Sequence, residues 1–197
     1  MGIINNLYWR FRVYGPEITG DIVRLAPMDE SMAESFFAWI NAPGVNRYRP
    51  APPVASVDAE REWIRRIGES TTDVVWAIYC TEDGELIGAT GLHSLSEMHK
   101  RAVSGTIIGK PEYWGRGIGG ELVMLRTRYA FEELNLNKLI SEVIPENNAS
   151  LRMLMRSGYR IVGLQRKHFL TGDMWMDAYI LECFREDWEK AKQQNGW

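Results

Sequence analysis

The chain is poor in cysteine and histidine, the residues from which disulfide frameworks and many metal sites are built. Its 197 residues include two cysteines and three histidines. Cys80 and Cys183 lie far apart within apolar segments, so we expect buried free thiols in a reducing compartment and no disulfide framework. The histidines are scattered without the spacing of metal ligands. The sequence therefore predicts no metal cofactor.

Long hydrophobic segments and an excess of one charge are also absent. No apolar segment reaches the roughly 20 residues that span a bilayer, and the N-terminus lacks the basic start and apolar stretch of a signal peptide. The net charge is −3, so no basic field draws the chain to nucleic acid or to an anionic membrane. We therefore expect a cytoplasmic protein with neither of these partners.

The composition that remains is typical of one globular domain. Hydrophobic residues make up 45% and charged residues 25% of the sequence, as in chains that bury a sizeable core. Residues 1–13 are aromatic and basic, and we interpret them as an N-terminal extension that covers a sheet edge or a neighbouring subunit, as in a homodimer. Residues 14–190 are predicted to form the single domain.

Hydrophobic periodicity and turn signals predict the element order β-α-α-β-β-β-α-β-α-β-β. Asp29 and Ser56 are predicted to cap the first two helices. The segment from Asn41 to Pro53 is rich in proline and is predicted to be a loop. The predicted strands are residues 21–26, 74–80, 85–92, 101–108, 138–144, 160–170 and 174–184.

A glycine-rich turn connects a β-branched segment to a helix near the middle of the chain. Its sequence is Trp114-Gly115-Arg116-Gly117-Ile118-Gly119-Gly120-Glu121. Glycines allow the backbone to approach a ligand closely, and the first amides of a helix point outward at its positive dipole end. The turn therefore predicts a pyrophosphate site, with a tight strand-to-helix connection as the alternative. It fits neither the P-loop nor the GxGxxG pattern, because Glu121 follows Gly120 and the glycine spacing differs.

Several motifs in order along the chain resemble the GNAT family of N-acetyltransferases. They are Ile107-Ile108-Gly109, the glycine-rich turn, Glu146-Asn147-Asn148-Ala149-Ser150 and Arg156-Ser157-Gly158-Tyr159. Similarity to the ribosomal-protein N-terminal (Rim-type) branch rests on Trp114-Gly115, Asn147-x-x-Ser150, Ile40 to Val45 and Glu186-Asp187-Trp188. The resemblance extends from about Tyr14 to Trp188. It implies a GNAT fold of the α+β (α/β) class, with a mixed central sheet whose parallel strands splay apart between flanking helices.

The resemblance also implies an acetyl-CoA site in the gap between the splayed strands. Backbone groups of Ile107 and Ile108 are expected to bind the pantetheine amides as an added strand would. Asn147 and Ser150 are expected at the thioester end, although helix capping is the alternative explanation for both. The pyrophosphate is expected on the turn, at Gly115, Arg116, Gly117, Ile118, Gly119 and Gly120.

The usual catalytic residues of the family are missing from their expected positions. Many relatives carry a glutamate where this chain aligns Val103-Ser104, and many carry a tyrosine where it has Leu154. Ser150 is the first candidate, as the acid that protonates the leaving thiolate. Glu142 is the second, as the base that deprotonates the amine. An ion pair with a neighbouring strand is the alternative role for Glu142.

Two further polar residues are weaker candidates for the same chemistry. Asp177 lies in an apolar strand, where a structural hydrogen bond would explain it as well. His93 ends a predicted strand and would face substrate, but a turn position is the commoner role of a lone histidine. Arg47 and Arg49 in the predicted loop argue mildly against a polyamine acceptor, unless they are solvated charges.

These residues predict an N-acetyltransferase that uses acetyl-CoA as co-substrate and no metal. The acetyl group would move to a primary amine, of a small molecule or a peptide N-terminus, by direct attack on the thioester. A non-catalytic acyl-CoA-binding sensor or interaction module is the alternative, because the phosphate turn and the Asn-x-x-Ser motif fit both functions.

Overall fold

A single sheet with helices on both faces makes up the described part of the chain. The computed structural model describes residues 15–197, so the predicted extension at residues 1–13 lies outside the described residues. The strands are β1 (Ile18–Thr19), β2 (Val23–Ala26), β3 (Val74–Cys80), β4 (Leu86–Ser96), β5 (Arg101–Ile108), β6 (Lys138–Val143), β7 (Arg160–Thr171) and β8 (Met174–Phe184). The helices are α1 (Ala33–Asn41), α2 (Pro43–Asn46), α3 (Val57–Gly68), α4 (Ile118–Arg128), α5 (Asn148–Arg156) and α6 (Arg185–Asn195). The strand order in the sheet is β1-β2-β3-β4-β5-β6-β8-β7.

Each face of the sheet has its own hydrophobic cluster. On the face covered by α1 and α3, here the α1 face, Phe36 and Ile64 are buried with Ala77 of β3. On the opposite face, here the α4 face, Leu122 and Trp76 are buried in a second cluster that also includes residues of α5 and α6. Burial of side chains of this size contributes about 1.5–3 kcal/mol each. The two clusters hold the sheet in place from both sides.

The predicted helix signals are confirmed at the starts of α1 and α3. The Asp29 carboxylate accepts a hydrogen bond from the Ser31 amide at 2.8 Å, in a short turn that leads into α1. The Ser56 hydroxyl accepts one from the Ala59 amide at 3.1 Å, at the start of α3. These side chains satisfy amides that the helices leave unpaired. Within residues 15–197, no helix is both long and apolar enough to cross a bilayer.

Four elements differ most from the prediction, and the first is β1, a two-residue strand that the sequence did not indicate. α2 is one helical turn inside the predicted loop, and it begins with Pro43, whose fixed φ suits a first helical position. β4 continues past Leu92 to Ser96 through an irregular pairing with β5, in which Ser94 has a φ of +51°. α6 has no continuous apolar stripe, because Trp188 and Ala191 are its only buried residues. Helical periodicity therefore gave no signal for it.

The parallel strands β5 and β6 separate soon after they begin to pair. They are paired from Arg101 with Lys138 to Val103 with Ile140, yet β5 continues to Ile108 and β6 to Val143. Beyond Val103 and Ile140 the two strands leave a gap, which confirms the predicted splay. The gap and the residues around its closed end form the candidate site.

Candidate active site

The glycine-rich turn places a row of backbone amides at the start of α4. Gly115 and Gly117 have φ values of +79° and +85°, and Gly117 is the N-cap of α4. Residues with a Cβ pay about 1–2 kcal/mol for such a conformation, which explains glycine at both positions. Within the described chain, the amides from Gly115 to Gly119 make no backbone hydrogen bond. The turn therefore presents free donors at the positive end of a helix.

Glu121 and Arg116 are engaged in contacts around this turn. The Glu121 carboxylate accepts hydrogen bonds from the amides of Asp21, Ile22 and Val23 at 2.6–2.9 Å, which ties β2 to the first turn of α4. Arg116 forms an ion pair with Glu82. The Glu82 carboxylate therefore partly balances the charge of Arg116. Arg116 would bind a phosphate only if this ion pair opened.

Gly119 and Gly120 differ in the reason for their lack of a side chain. A Cβ atom at Gly119 would lie 2.5 Å from Sδ of Met153, so this glycine allows α4 and α5 to pack closely. A Cβ atom at Gly120 would meet no atom within 4 Å. Bulk added at Gly119 would disturb packing between helices as well as any ligand.

The backbone groups that face the gap belong to Thr106 and Ile108, in contrast to the expectation for Ile107. Antiparallel pairing alternates between groups that bond the partner strand and groups that point away from it. Gly109 donates to the Ile87 carbonyl at 2.8 Å. Because every second residue of β5 bonds β4, the N–H and C=O groups of Ile107 also point toward β4. A Cβ atom at Gly88 of β4 would accordingly lie 2.1 Å from the Ile107 carbonyl oxygen. The Ile108 carbonyl points the other way and accepts the Trp114 indole N–H at 3.0 Å.

A buried polar cluster lies on the α4 face beside the closed end of the gap. The hydroxyls of Ser104 in β5 and Ser141 in β6 are 2.5 Å apart, and the Tyr159 hydroxyl lies 3.2 Å from that of Ser104. All three side chains are buried. These polar contacts link β5 to β6 near the point where backbone pairing stops.

Arg126 brings a buried positive charge to the same place. The residue is 1% exposed, and Nη1 donates to the Thr90 hydroxyl, the Gly105 carbonyl and the Thr106 hydroxyl at 2.7–2.8 Å. Burial lowers the pKa of Arg126, and Tyr159 opposes that shift. Among residues 15–197, no carboxylate lies within ion-pair distance of the guanidinium. A buried cation without a counter-ion favours negative charge nearby.

On the α1 face, His93 and Asp73 form a hydrogen-bonded pair. His93 Nδ1 lies 2.8 Å from Asp73 Oδ1, and the carboxylate also accepts from the Ser70 hydroxyl at 2.5 Å and the Thr72 hydroxyl at 3.2 Å. Burial raises the pKa of Asp73, but the hydrogen bonds from Ser70, His93 and Thr72 outweigh it and lower the pKa. The carboxylate is thus held ionised against the imidazole.

The His93 ring lies over two glycines that face each other across β4 and β5. Gly91 pairs with Gly105, and His93 pairs with Val103. A Cβ atom at Gly91 would lie 2.8 Å from His93 Nε2, and one at Gly105 would lie 3.9 Å from it. The missing side chains leave room for the ring. Nε2 therefore lies near Gly105, two residues beyond the last pairing of β5 with β6.

The two residues first predicted to be catalytic occupy different surroundings. Glu142 is exposed on β6, and its Oε1 lies 3.6 Å from His168 Nε2 of β7, an arrangement that matches the ion-pair alternative. The Ser150 amide donates to the Asn147 side chain at 3.1 Å, so Asn147 caps α5. The Ser150 hydroxyl makes no hydrogen bond within the described residues, and its catalytic role stays a prediction.

Asp177 and Leu154 have structural surroundings. Asp177 accepts the Lys167 amide at 2.8 Å, where β7 bulges and Lys167 has a φ of +51°. This is the structural hydrogen bond expected as the alternative for Asp177. Leu154 is buried in the cluster of the α4 face. Residues 15–197 contain no group of three His, Cys, Asp or Glu side chains placed to hold a metal ion.

The sequence did not single out Asp73 or Arg126 as site residues, named Tyr159 only within a motif, and ranked His93 below Ser150 and Glu142. Asp73 lies 20 positions before His93, and no periodic pattern links the two. Arg126 shares a helix with apolar residues, where a charged position within the buried stripe was the available signal. The pair of glycines at Gly91 and Gly105 was a second signal, because glycine in a strand often marks a close approach.

Comparison with known proteins identifies the family of the chain. The family model described as "Acetyltransferase (GNAT) domain" matches residues 23–160. The uncharacterized N-acetyltransferase YoaA of Bacillus subtilis is 28% identical over 168 residues, covering 84% of this chain and 94% of that protein. The spermidine N(1)-acetyltransferase of Escherichia coli K12 is 34% identical over 106 residues, covering 54% of this chain and 56% of that protein.

The fold is shared with solved structures as well. The spermidine N-acetyltransferase of Vibrio cholerae, solved in complex with CoA and spermine, has a TM-score of 0.79 at 19% identity and covers 86% of this chain and 99% of that one. The chain belongs to the GNAT acetyltransferase family and is an N-acetyltransferase.

Proposed function

We propose that the protein transfers the acetyl group of acetyl-CoA to a primary amine, of a small molecule or a peptide N-terminus, by direct attack on the thioester. The observation that carries this proposal is the continuity of the gap with the amide row. β5 borders the gap up to Ile108, and the chain then enters the turn that begins α4. One extended ligand could therefore bind backbone groups of β5 at one end and, through its phosphates, the amides of the turn at the other.

The residues present fit acetyl-CoA at both ends of this path. The free amides from Gly115 to Gly119 suit a pyrophosphate. The gap-facing groups of Thr106 and Ile108 suit the pantetheine amides, which would add to β5 as a strand does. Trp114 holds the Ile108 carbonyl, so pantetheine binding there would displace its indole. Ile107 would contribute to the wall of the site through its side chain.

Charge near the closed end of the gap supports chemistry on the thioester. Attack by the amine puts negative charge first on the carbonyl oxygen and then on the sulfur. Arg126 is buried on the α4 face beside Gly105 without a counter-ion in the described chain, and preorganised positive charge of this kind stabilises such a transition state. Ser150 remains the proposed proton donor to the thiolate, and Asn147 its neighbour at the start of α5.

The acceptor is proposed at the level of a primary amine. The E. coli relative acts on spermidine by its name, which supports an amine, and the Rim-type motifs support a peptide N-terminus. The basic loop argues less against a polyamine than its sequence suggested. Arg49 is half-buried, donates to the Pro52 carbonyl at 3.0 Å and interacts electrostatically with the buried Glu60, so its charge is partly balanced. Arg47 is exposed and lies over the Tyr48 ring.

A thiol-release assay tests the proposed function. Acetyl-CoA is offered with a panel of polyamines, amino sugars, aminoglycosides and peptides with free N-termini. Release of CoA that depends on one class of amine, with an acetylated product of the expected mass, supports the proposal. Tight binding of acetyl-CoA without turnover across the panel would favour the sensor or interaction module.

Gly117→Ala tests the position of the pyrophosphate. The substitution strains a φ of +85°, in a place where the new Cβ would make only ordinary contact with Ile22. It should turn the free amides away from the phosphate and weaken acetyl-CoA binding at least about tenfold, or ~1.4 kcal/mol, in calorimetric titration. Gly172→Ala is the matched control, because Gly172 has a φ of +59° and open space in the β7–β8 turn. Equal affinity in both variants would place the pyrophosphate elsewhere.

A further inference from the structure

We propose that His93, oriented by Asp73, accepts the proton that the attacking amine must lose. The inference rests on the proposed function, since it supplies the general base for that reaction. The position expected for the glutamate of many relatives is occupied here by Val103-Ser104, and His93 lies directly across from Val103 in the pairing of β4 with β5. A base on the neighbouring strand thus reaches the same end of the gap.

The His93 ring lies near the closed end of the gap. Pairing of β5 with β6 ends at Val103, and a thioester that follows β5 into the gap must stop near this point. His93 Nε2 lies over Gly105, within the separated part of β5. It lies on the α1 face, whereas Arg126 contacts Gly105 from the α4 face. An amine that approaches from the α1 face would therefore meet the base before it meets the thioester carbon.

The contact with Asp73 orients the His93 imidazole. Because Asp73 Oδ1 lies 2.8 Å from Nδ1 and is held ionised, it favours the tautomer with the proton on Nδ1. Nε2 is then the free acceptor, and the carboxylate stabilises the imidazolium that forms. Asp73 is a positioning residue in this arrangement. The structure gives Nε2 no hydrogen-bond partner among residues 15–197, and the His93 side chain is 35% exposed, so solvent or substrate reaches it.

The surroundings of His93 contain few other charges. The residues that face the ring from β5 are Val103 and Gly105, and Val75 of β3 lies beside Gly91 beneath it. Arg66 and Glu69, at the end of α3, line the surface cavity that also contains Asp73. Asp73 is the charged group in hydrogen-bond contact with the imidazole.

The proton and electron balance of the step is simple. The amine nitrogen forms a bond to the acetyl carbon, and the carbonyl oxygen takes the negative charge. The carbon–sulfur bond then breaks, and its electron pair leaves on sulfur. One N–H proton passes to Nε2, directly or through one water. The thiolate takes a proton from solvent, or from Ser150, which then regains a proton from solvent. The imidazolium returns its proton to solvent. The products are the acetamide and CoA.

The test compares the pH dependence of kcat/KM in wild type, His93→Gln and His168→Gln. The least basic amine that reacts is used, because it stays neutral across the range and an acid limb then reports on the protein. Wild type should lose activity in acid with a one-proton slope, since an imidazolium cannot accept a proton. His93→Gln should lower kcat about 10²- to 10⁴-fold and abolish that limb, with acetyl-CoA affinity unchanged. His168→Gln should stay within about twofold of wild type.

A second variant distinguishes loss of the base from misfolding of the protein. His93→Ala opens space above Gly91 and Gly105, and added imidazole should restore part of its activity in proportion to the unprotonated imidazole. Retention of near-wild-type kcat and of the acid limb in His93→Gln would overturn the inference while leaving the acetyltransferase function intact. Absence of turnover in wild type would instead overturn the proposed function, and this inference with it.

Discussion

Two histidine–carboxylate pairs lie near the divergence of β5 and β6, and they differ in how firmly they are held. His93 and Asp73 are 2.8 Å apart, with side chains 35% and 19% exposed, and two further hydroxyls bond the carboxylate. His168 and Glu142 are 3.6 Å apart, with side chains 28% and 37% exposed. A distance of 3.6 Å is too long for a hydrogen bond. One pair is oriented and the other is a loose electrostatic contact.

The difference follows from where each pair lies in the sheet. β4 is an interior strand, and its register with β5 fixes His93 opposite Val103. β7 is the edge strand, and its pairing with β8 is interrupted between Gln165 and Phe169, next to His168. A general base needs a held ring and a defined tautomer. Position in the sheet therefore favours His93 over Glu142 as the base, although Glu142 was the candidate that the sequence ranked higher.

Of the two carboxylate substitutions that compare the pairs, Asp73→Asn should have the larger effect. The amide can donate to Nδ1, which leaves the proton on Nε2 and removes the acceptor. We expect kcat to fall at least about tenfold with little change in the KM for the amine. The same substitution in a His93→Gln background should add almost nothing, because the two residues act as one unit. If the two substitutions instead lowered kcat by independent factors that multiply in the double variant, Asp73 would have a structural role only.

A smaller effect is expected on the acid stability of the same variant. The pKa of Asp73 is lowered in the folded chain, so its contribution to stability is present above the unfolded value of about 3.9 and is lost as pH falls through the folded value. Wild type should therefore unfold at higher urea concentration than Asp73→Asn at neutral pH. The difference should shrink as the pH is lowered below about 4. If the difference in urea concentration at unfolding did not change with pH, ionisation of Asp73 would not be what stabilises the fold.

The conformation of the proposed cofactor half of the site could be predicted from the sequence because consecutive residues build it. The turn from Trp114 to Glu121 specifies its own conformation through glycines with positive φ, and α4 follows directly. The predicted caps at Asp29 and Ser56 are local in the same way. The direction in which the backbone groups of β5 point is not determined by neighbouring residues in the sequence. Whether Ile107 or Ile108 faces the gap depends on its hydrogen bonding with β4, and a shift of one residue reverses the answer.

The acceptor half could not be predicted in the same way because distant residues assemble it. Asp73 precedes β3, His93 lies in β4, and the two glycines beneath the ring belong to different strands. Each residue alone also fits an ordinary structural role, and only the pairing of the strands brings these residues together. Arg126 is similar, since its partners Thr90 and Thr106 lie on two strands. Residue type and spacing carry no information about such contacts.

The smallest expected effect belongs to Glu142→Gln, which tests the looser pair. The substitution keeps the shape of the side chain and removes its charge. Because Glu142 is exposed and 3.6 Å from His168, we expect stability to change by no more than about 0.5 kcal/mol. The ratio of mutant to wild-type kcat/KM should stay within about twofold and flat between about pH 6 and 9. His168→Gln should behave alike, since both substitutions break one weak contact. A loss that deepens toward low pH, where neutral amine is scarce, would identify Glu142 as the base after all and reduce the Asp73–His93 pair to a structural contact between β4 and the segment before β3.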